Sequence, residues 1–138
     1  MIFMSYYRKW VPQENYYYAV ENCGFKDNKI RSEGTYSTYQ SLDDKIDGFH
    51  FYTYFIKYGI GRATYDAASE IRNNHITREE GISLVKKFDG EFPARHFKHF
   101  LDYISIDSEE FEFHIDKSRS EHLWSKIDGK WVIKHQVK

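Results

Sequence analysis

The sequence predicts a mainly α domain: a compact bundle of about six helices, with one small β-hairpin near the C-terminus. Three observations predict it. Apolar residues recur at three- and four-residue spacing through most of the chain. Helix start and stop signals succeed one another from Pro12 to Asp107. Only the tail, WSKIDGKWVIKHQV, sets short apolar runs around a hairpin turn, so sheet is not the organising feature. With 138 residues the chain is one domain's worth of protein, long enough to bury a core.

Composition narrows the class. The chain carries 12 Tyr, 11 Phe and 3 Trp, but only 2 Pro and 8 Gly, which argues against disorder. A formal net charge of −1 provides no positive field to recruit nucleic acid. No apolar run approaches the roughly 18 residues that span a bilayer. A single Cys23 cannot form an internal disulfide, and the expected location is the cytoplasm.

The elements follow in order. Pro12 suits a first helical turn and Glu14 the positive end of its dipole, and Gly24 marks the stop, so a helix is predicted over 12–23. KDNKIRSEGTYSTYQ is a polar loop with turn formers Asn28 and Gly34. Ser41, with Asp44 standing in for the glutamate of a capping box, opens a long helix that ends at Gly59. Another runs from Arg62 to Asn73. Thr77 and Glu80 form a full capping box ahead of Ile82, Val85 and Phe88, and Asp89–Gly90 stops that helix. Pro93 opens a helix whose inner face carries Phe97, Phe100, Leu101 and Ile104. Asp107 with Glu110 caps a last helix through Phe111 and Ile115. Asp128–Gly129 is the hairpin turn.

The long helix carries the first candidate site. At about 100° per residue, Leu42, Ile46, Phe49, Thr53 and Ile56 form one stripe, and Phe51, Phe55 and Tyr58 a second. Between them lie Asp43, Asp47, His50, Tyr54 and Lys57. If both apolar stripes are buried, this polar stripe should line a cleft or meet a polar ligand, since an unpartnered buried charge costs several kcal/mol. The simpler alternative is a solvated helix face. Asp47-x-x-His50 has the spacing of helical di-metal ligands, but no matching pair stands on a second helix, so no metal is expected.

The stretch KYGIGRATYDAASEIR carries the second. Gly59 can end one helix and Gly61 allows close backbone approach, while the free N–H groups of the next helix point outward. Arg62 would supply a charged fork and Thr64 a hydroxyl. The alternative is a plain turn followed by an Arg62–Asp66–Glu70 ion-pair ladder on the surface. The stretch is not a dinucleotide fingerprint: a helix precedes it and the third glycine is missing. His96 and His99 have no acidic or cysteine partner at a ligand spacing, and Cys23 reads as buried. The cluster Tyr6, Tyr7, Tyr16, Tyr17 and Tyr18 reads as core or interface rather than a stacking platform.

The blocks KWVPQENYYYAVENCGF, EGTYSTYQSLDDKIDGFHFYTYFIKYGIGRATYDAASEIRNNHITREEGISLVKKFDGEFP and HLWSKIDGKWVIKHQV resemble the C-terminal part of the N-acetyl sugar amidotransferases of lipopolysaccharide O-antigen and flagellar-glycan biosynthesis. The resemblance runs from about Tyr6 to Gln136. It implies an ATP-dependent ligase of the PP-loop ATP-pyrophosphatase type. Such an enzyme adenylates the acetamido oxygen of a nucleotide-linked sugar, and ammonia from a glutaminase then displaces AMP to give an acetamidino group. The family's Ser-Gly-Gly-x-Asp-Ser loop belongs to an N-terminal domain and does not occur in this sequence. The chain is thus expected to be one helical C-terminal domain over 1–138, a fragment of a longer protein rather than a truncated stand-alone product.

On that reading ATP and Mg belong to the parent enzyme, and the chain alone binds neither and is inactive. Arg62 and Lys57, with Gly61 and Thr64, would contact phosphate. Asp43, Asp47, His50 and Tyr54 would contact sugar hydroxyls or orient those cations. The expected partners are the nucleotide-sugar and a glutaminase subunit, with a homo-oligomer possible. The alternative is a non-catalytic docking or oligomerisation module. A ligand site predicts cations in a concave cleft; a docking module predicts exposed aromatics in a flat patch.

Overall fold

The computed structural model describes residues 1–138. Six helices lead into one hairpin: α1 (Pro12–Cys23), α2 (Asp47–Tyr58), α3 (Arg62–Arg72), α4 (Arg78–Phe88), α5 (Phe97–Ile104), α6 (Ser108–Lys117), β1 (Trp124–Ile127) and β2 (Lys130–Ile133). A 3-10 turn precedes α1 at Met4–Tyr6 and another precedes α5 at Ala94–His96. No helix is long and apolar enough to cross a membrane.

Local chemistry explains most of the boundaries. Pro12 stands in the first turn of α1, and Gly24 closes that helix in the left-handed region at φ 65°. Thr77 and Glu80 form both halves of the capping box that opens α4. The Asp107 carboxylate accepts the Glu110 N–H at 2.8 Å to open α6. The strands pair antiparallel, Trp124 opposite Ile133. Their turn places Asp128 at φ 49° and Gly129 at φ 77°, the two positive values a two-residue type I′ connection needs.

Two boundaries, and the burial of some positions near them, differ from the sequence expectation. Helix α2 starts at Asp47, not at Ser41. Ser41 takes φ 56°, and Asp44 accepts the Ile46 N–H at 2.8 Å in a tight turn, so the polar side chains expected to start a helix bend the chain instead. Leu42 is therefore exposed and Ile46 only half-buried. Pro93 leads into a 3-10 turn, with the α-helix delayed to Phe97. Ile104, at the end of α5, is exposed rather than on the inner face.

The core is aromatic and lies between α2, α5, α6 and the hairpin. Phe49, Ile56, Phe111, Ile115 and Trp124 are buried together, with Phe97, Phe100 and Leu101 packed against them. Phe49 and Phe100 stack at 4.0 Å between centroids with 4° between planes. Phe111 meets both rings edge to face, an arrangement that ring quadrupoles favour. The Trp124 indole donates at 2.7 Å to the carbonyl of Ile56. That carbonyl is one of the last four of α2, which have no partner inside the helix.

The N-terminal third is attached differently. Helix α1 buries none of its residues. Val11 just before it is buried, and Tyr16 stacks on Tyr39 at 4.4 Å. Tyr6, Tyr7, Tyr17 and Tyr18 are exposed, so this cluster is not core. Cys23 is also exposed, contrary to the expectation of burial.

Candidate functional site

The corner between α2 and α3 is built as its sequence suggests. Gly59 ends α2 at φ 73° and Gly61 is the N-cap of α3. Glycine has no side chain to satisfy the free N–H groups of the helix that follows. Asp89, at the C-terminal end of α4, supplies one. Its carboxylate accepts the Gly61 N–H at 3.0 Å and the Thr64 N–H at 3.2 Å, and the Thr64 hydroxyl donates to it as well. The positive end of the α3 dipole is thus met by an anion from the protein itself. The close approach that Gly61 permits is that of Asp89: a Cβ there would stand 2.6 Å from Asp89 Oδ1.

Arg62 points the other way. Its side chain is only 14% exposed, so it is not part of a surface ladder. Nε donates to Asp66 at 3.4 Å, and Nη1 to Ser41 at 3.2 Å and to Asp47 at 3.3 Å. Nη2 donates to the Gln40 side-chain carbonyl, and the guanidinium lies 4.3 Å over the Phe51 ring. Ser41 also donates to Asp47, and Thr35 donates to Asp66 at 2.5 Å. Arg62 therefore ties the 35–41 loop to the start of α2 and to α3. Burial pushes the Asp66 carboxyl above its ordinary range, against the opposing pull of Thr35 and Arg62. Glu70, the expected third rung, bonds His75 at 2.7 Å instead.

A second clamp holds the same loop. Arg31 pairs with Glu91 through two hydrogen bonds of 2.6 and 2.7 Å, and Glu91 also accepts the Gly34 N–H at 2.8 Å. The Arg31 hydrogen bonds hold the Glu91 carboxyl below the usual carboxylate range.

Between the two clamps lies a polar cleft of about 230 Å³. Arg62 and Asp47 form part of its wall, with Asp44, Lys45, Arg95 and His96 around them. Lys45 is exposed and makes no hydrogen bond to the protein. Arg95 uses its backbone N–H on Glu33 at 3.1 Å and one guanidinium nitrogen on the Arg31 carbonyl at 3.1 Å. The cleft therefore holds uncommitted donors beside carboxylates, a set able to bind a phosphate or sugar hydroxyls.

The rest of the expected polar stripe is dispersed. Asp43 precedes α2 and is exposed. His50 and Lys57 are exposed, so the stripe is not enclosed. Tyr54 accepts a hydrogen bond from Tyr65 at 3.0 Å. Lys57 does not reach the Arg62 cleft: it lies 5.3 Å over the Tyr58 ring and faces a shallow groove toward α5 and α6. Asp47 and His50 gather no third ligand, and nowhere in the chain do three or more His, Cys, Asp or Glu side chains come together as a metal ion would require.

Sequence reasoning missed Asp89, Gln40, Lys45 and Arg95. Asp89 was read only as a helix stop, and its partners lie 25 and 28 residues away. Lys45 and His96 sit in segments whose local pattern spells turn or helix start. Cations stand in a concave cleft, and Tyr6, Tyr7, Trp10, Tyr17 and Tyr18 are exposed.

A family model described as the C-terminal domain of WbpG-like LPS (lipopolysaccharide) biosynthesis proteins matches residues 33–138. No curated protein matches the chain.

Proposed function

The chain belongs to the WbpG-like C-terminal domain family of lipopolysaccharide biosynthesis proteins, and from that premise we propose that it is the C-terminal domain of an ATP-dependent N-acetyl sugar amidotransferase. A role in lipopolysaccharide biosynthesis comes with the family. The finer reading is that the domain grips the nucleotide-linked sugar while a separate domain holds ATP and Mg and a glutaminase supplies ammonia.

One observation carries this reading: Lys45, Arg62, Arg95 and His96 converge on one polar cleft from three stretches of chain, beside Asp44 and Asp47. Phosphate oxygens call for cationic donors, and sugar hydroxyls for carboxylate acceptors. At about 230 Å³ the cleft admits a phosphate group or one sugar ring, less than the roughly 300–1,000 Å³ of sites for whole drug-sized ligands. Lys45 and Arg95 are the phosphate contacts on this reading. Arg62, engaged with four side chains, holds Asp47 in place for a hydroxyl.

The test uses the longer protein that carries this domain. Incubated with ATP, a nucleotide-linked N-acetyl sugar and ammonia, it should release AMP and pyrophosphate, and the 138-residue chain should release neither. Lys45→Ala and Arg95→Ala should each weaken nucleotide-sugar binding by roughly ten- to a hundred-fold, the usual loss for a charge-assisted hydrogen bond. Unchanged affinity in both variants would overturn the cleft assignment.

A second reading, a docking module for the glutaminase subunit, has its own support. Tyr6, Tyr7, Trp10, Tyr17 and Tyr18 stand exposed on a segment whose helix α1 buries nothing. Aromatic side chains are enriched at protein interfaces. Under this reading Trp10→Ala and Tyr18→Ala would abolish co-purification of the glutaminase and leave nucleotide-sugar binding intact.

A further inference from the structure

A cavity separate from the polar cleft lies between α3, α4 and the segment that follows β2. It measures about 410 Å³. Its floor is formed by small residues, Ala67, Ala68 and Gly81, and its walls by Ile60, Ile71, Ile82, Val85, Ile133 and Val137. Well-packed interiors leave few voids larger than a water molecule. This hollow opens to solvent, and its volume is that of a dozen or so water molecules at about 30 Å³ each.

Two cations and one carboxylate stand around it. Arg78 and Lys86 line it from α4, and His135 lines it from the C-terminal segment. Lys86 and His135 bond no protein group, and Arg78 donates only to the backbone carbonyl of Lys138, at 2.9 Å. The sole acid in the lining, Asp89, is already spent on Gly61 and Thr64 at the N-terminus of α3. Lys86 thus stands free, and Arg78 meets only a carbonyl, at an apolar hollow whose one carboxylate is turned to the N–H groups of α3. Arg78 and Lys86 are eight residues apart on one helix, a rise of about 12 Å.

We infer that this cavity binds a small amphiphilic anion, its apolar body between α3 and α4 and its anionic head on Lys86 or Arg78. A cationic or uncharged amphiphile of the same length lacks the second half of that match. The source is either a free amphiphile or the headgroup end of a membrane lipid, and the experiment separates them.

The probe is 1-anilinonaphthalene-8-sulfonate, followed by fluorescence with the intact chain. One saturable site per chain is expected, emptied by decyl phosphate below its micellar concentration and not by decyltrimethylammonium. Ala68→Phe and Val85→Phe fill the hollow, and each should weaken binding at least about tenfold while a cooperative melting transition persists. Lys86→Glu changes an exposed side chain that makes no hydrogen bond or ion pair to the protein, and should weaken binding by a similar factor. Co-sedimentation with phosphatidylglycerol vesicles, lost in Lys86→Glu, would identify a lipid headgroup; displacement by decyl phosphate without co-sedimentation would identify a free amphiphile. Binding that is unsaturable, equally displaced by the cationic amphiphile, or untouched by Lys86→Glu and whichever filling variant folds would overturn the inference.

Discussion

Asp89 accepts the backbone N–H of Gly61 at 3.0 Å, so the carboxylate at the end of α4 caps the start of α3. The absence of a side chain at Gly61 is what lets it in. Gly61 has extended backbone angles, φ −106° and ψ −171°, which alanine adopts without strain. Gly61→Ala is therefore a purely steric test: its Cβ would press on Asp89 at 2.6 Å. A loss of about 1–3 kcal/mol is expected in chemical unfolding, the range for overpacking. Asp89→Ala, which removes the cap without adding bulk, should cost about 2 kcal/mol. If both variants melt with the native protein, the capping role is wrong.

Arg62 tests the other clamp. Its removal leaves Asp66 and Asp47 facing each other's surroundings without their shared cation, and Asp66 is the more enclosed of the two. Breaking a buried ion pair from one side costs about 3–5 kcal/mol; the partial exposure of Asp47 argues for the lower end. Arg62→Lys should recover only part, because one ammonium cannot serve Gln40, Ser41, Asp47 and Asp66 together. Thermal unfolding of the two variants checks the ranking.

Two carboxylates give opposite pH dependences. Glu91 is held below the usual range by Arg31, so its contribution is present above the unfolded glutamate pKa and lost as pH falls through its lowered folded value. Asp66 is pushed upward by burial, so its contribution is present below the unfolded aspartate pKa and lost as pH rises through its raised folded value. Glu91→Gln should flatten the acid loss of stability below about pH 4, near the free glutamate pKa. Asp66→Asn should remove the compensating gain and steepen it. Urea titrations at a series of pH values distinguish these slopes from a common offset.

The Tyr36 hydroxyl is buried without a hydrogen-bond partner. Burial also raises its pKa, with Asp66 and Glu70 adding to the effect. An unsatisfied buried polar group costs about 1–3 kcal/mol, and removing it relieves that cost. Tyr36→Phe should therefore stabilise the protein by about 1 kcal/mol, read as a higher urea midpoint with unchanged slope. A lower midpoint would show that the hydroxyl has a partner.

What could be read from the sequence was what depends on neighbours along the chain. Pro12 and Gly24, the Thr77–Glu80 box, Asp107 with Glu110 and the Asp128–Gly129 turn each act within four residues or so, and each stands where it was expected. The inward positions Phe49, Ile56, Phe111 and Ile115 were legible for the same reason, since helical spacing records burial. Tertiary structure decided where α2 begins, because Ser41 and Asp44 had equally good uses in a cap and in a turn, and the 35–41 loop anchored by Arg62 selected the turn. It also decided that the α3 N-terminus meets Asp89. It brought Lys45, Arg62, Arg95 and His96 to one cleft while leaving Lys57 on another face. The contacts that tie this cleft together, such as Arg62 with Ser41 and Arg95 with Glu33, join residues 21 and 62 apart. No periodicity within a single helix records such a pairing, because the chain between its members is free to bring any of several charged side chains to the same place.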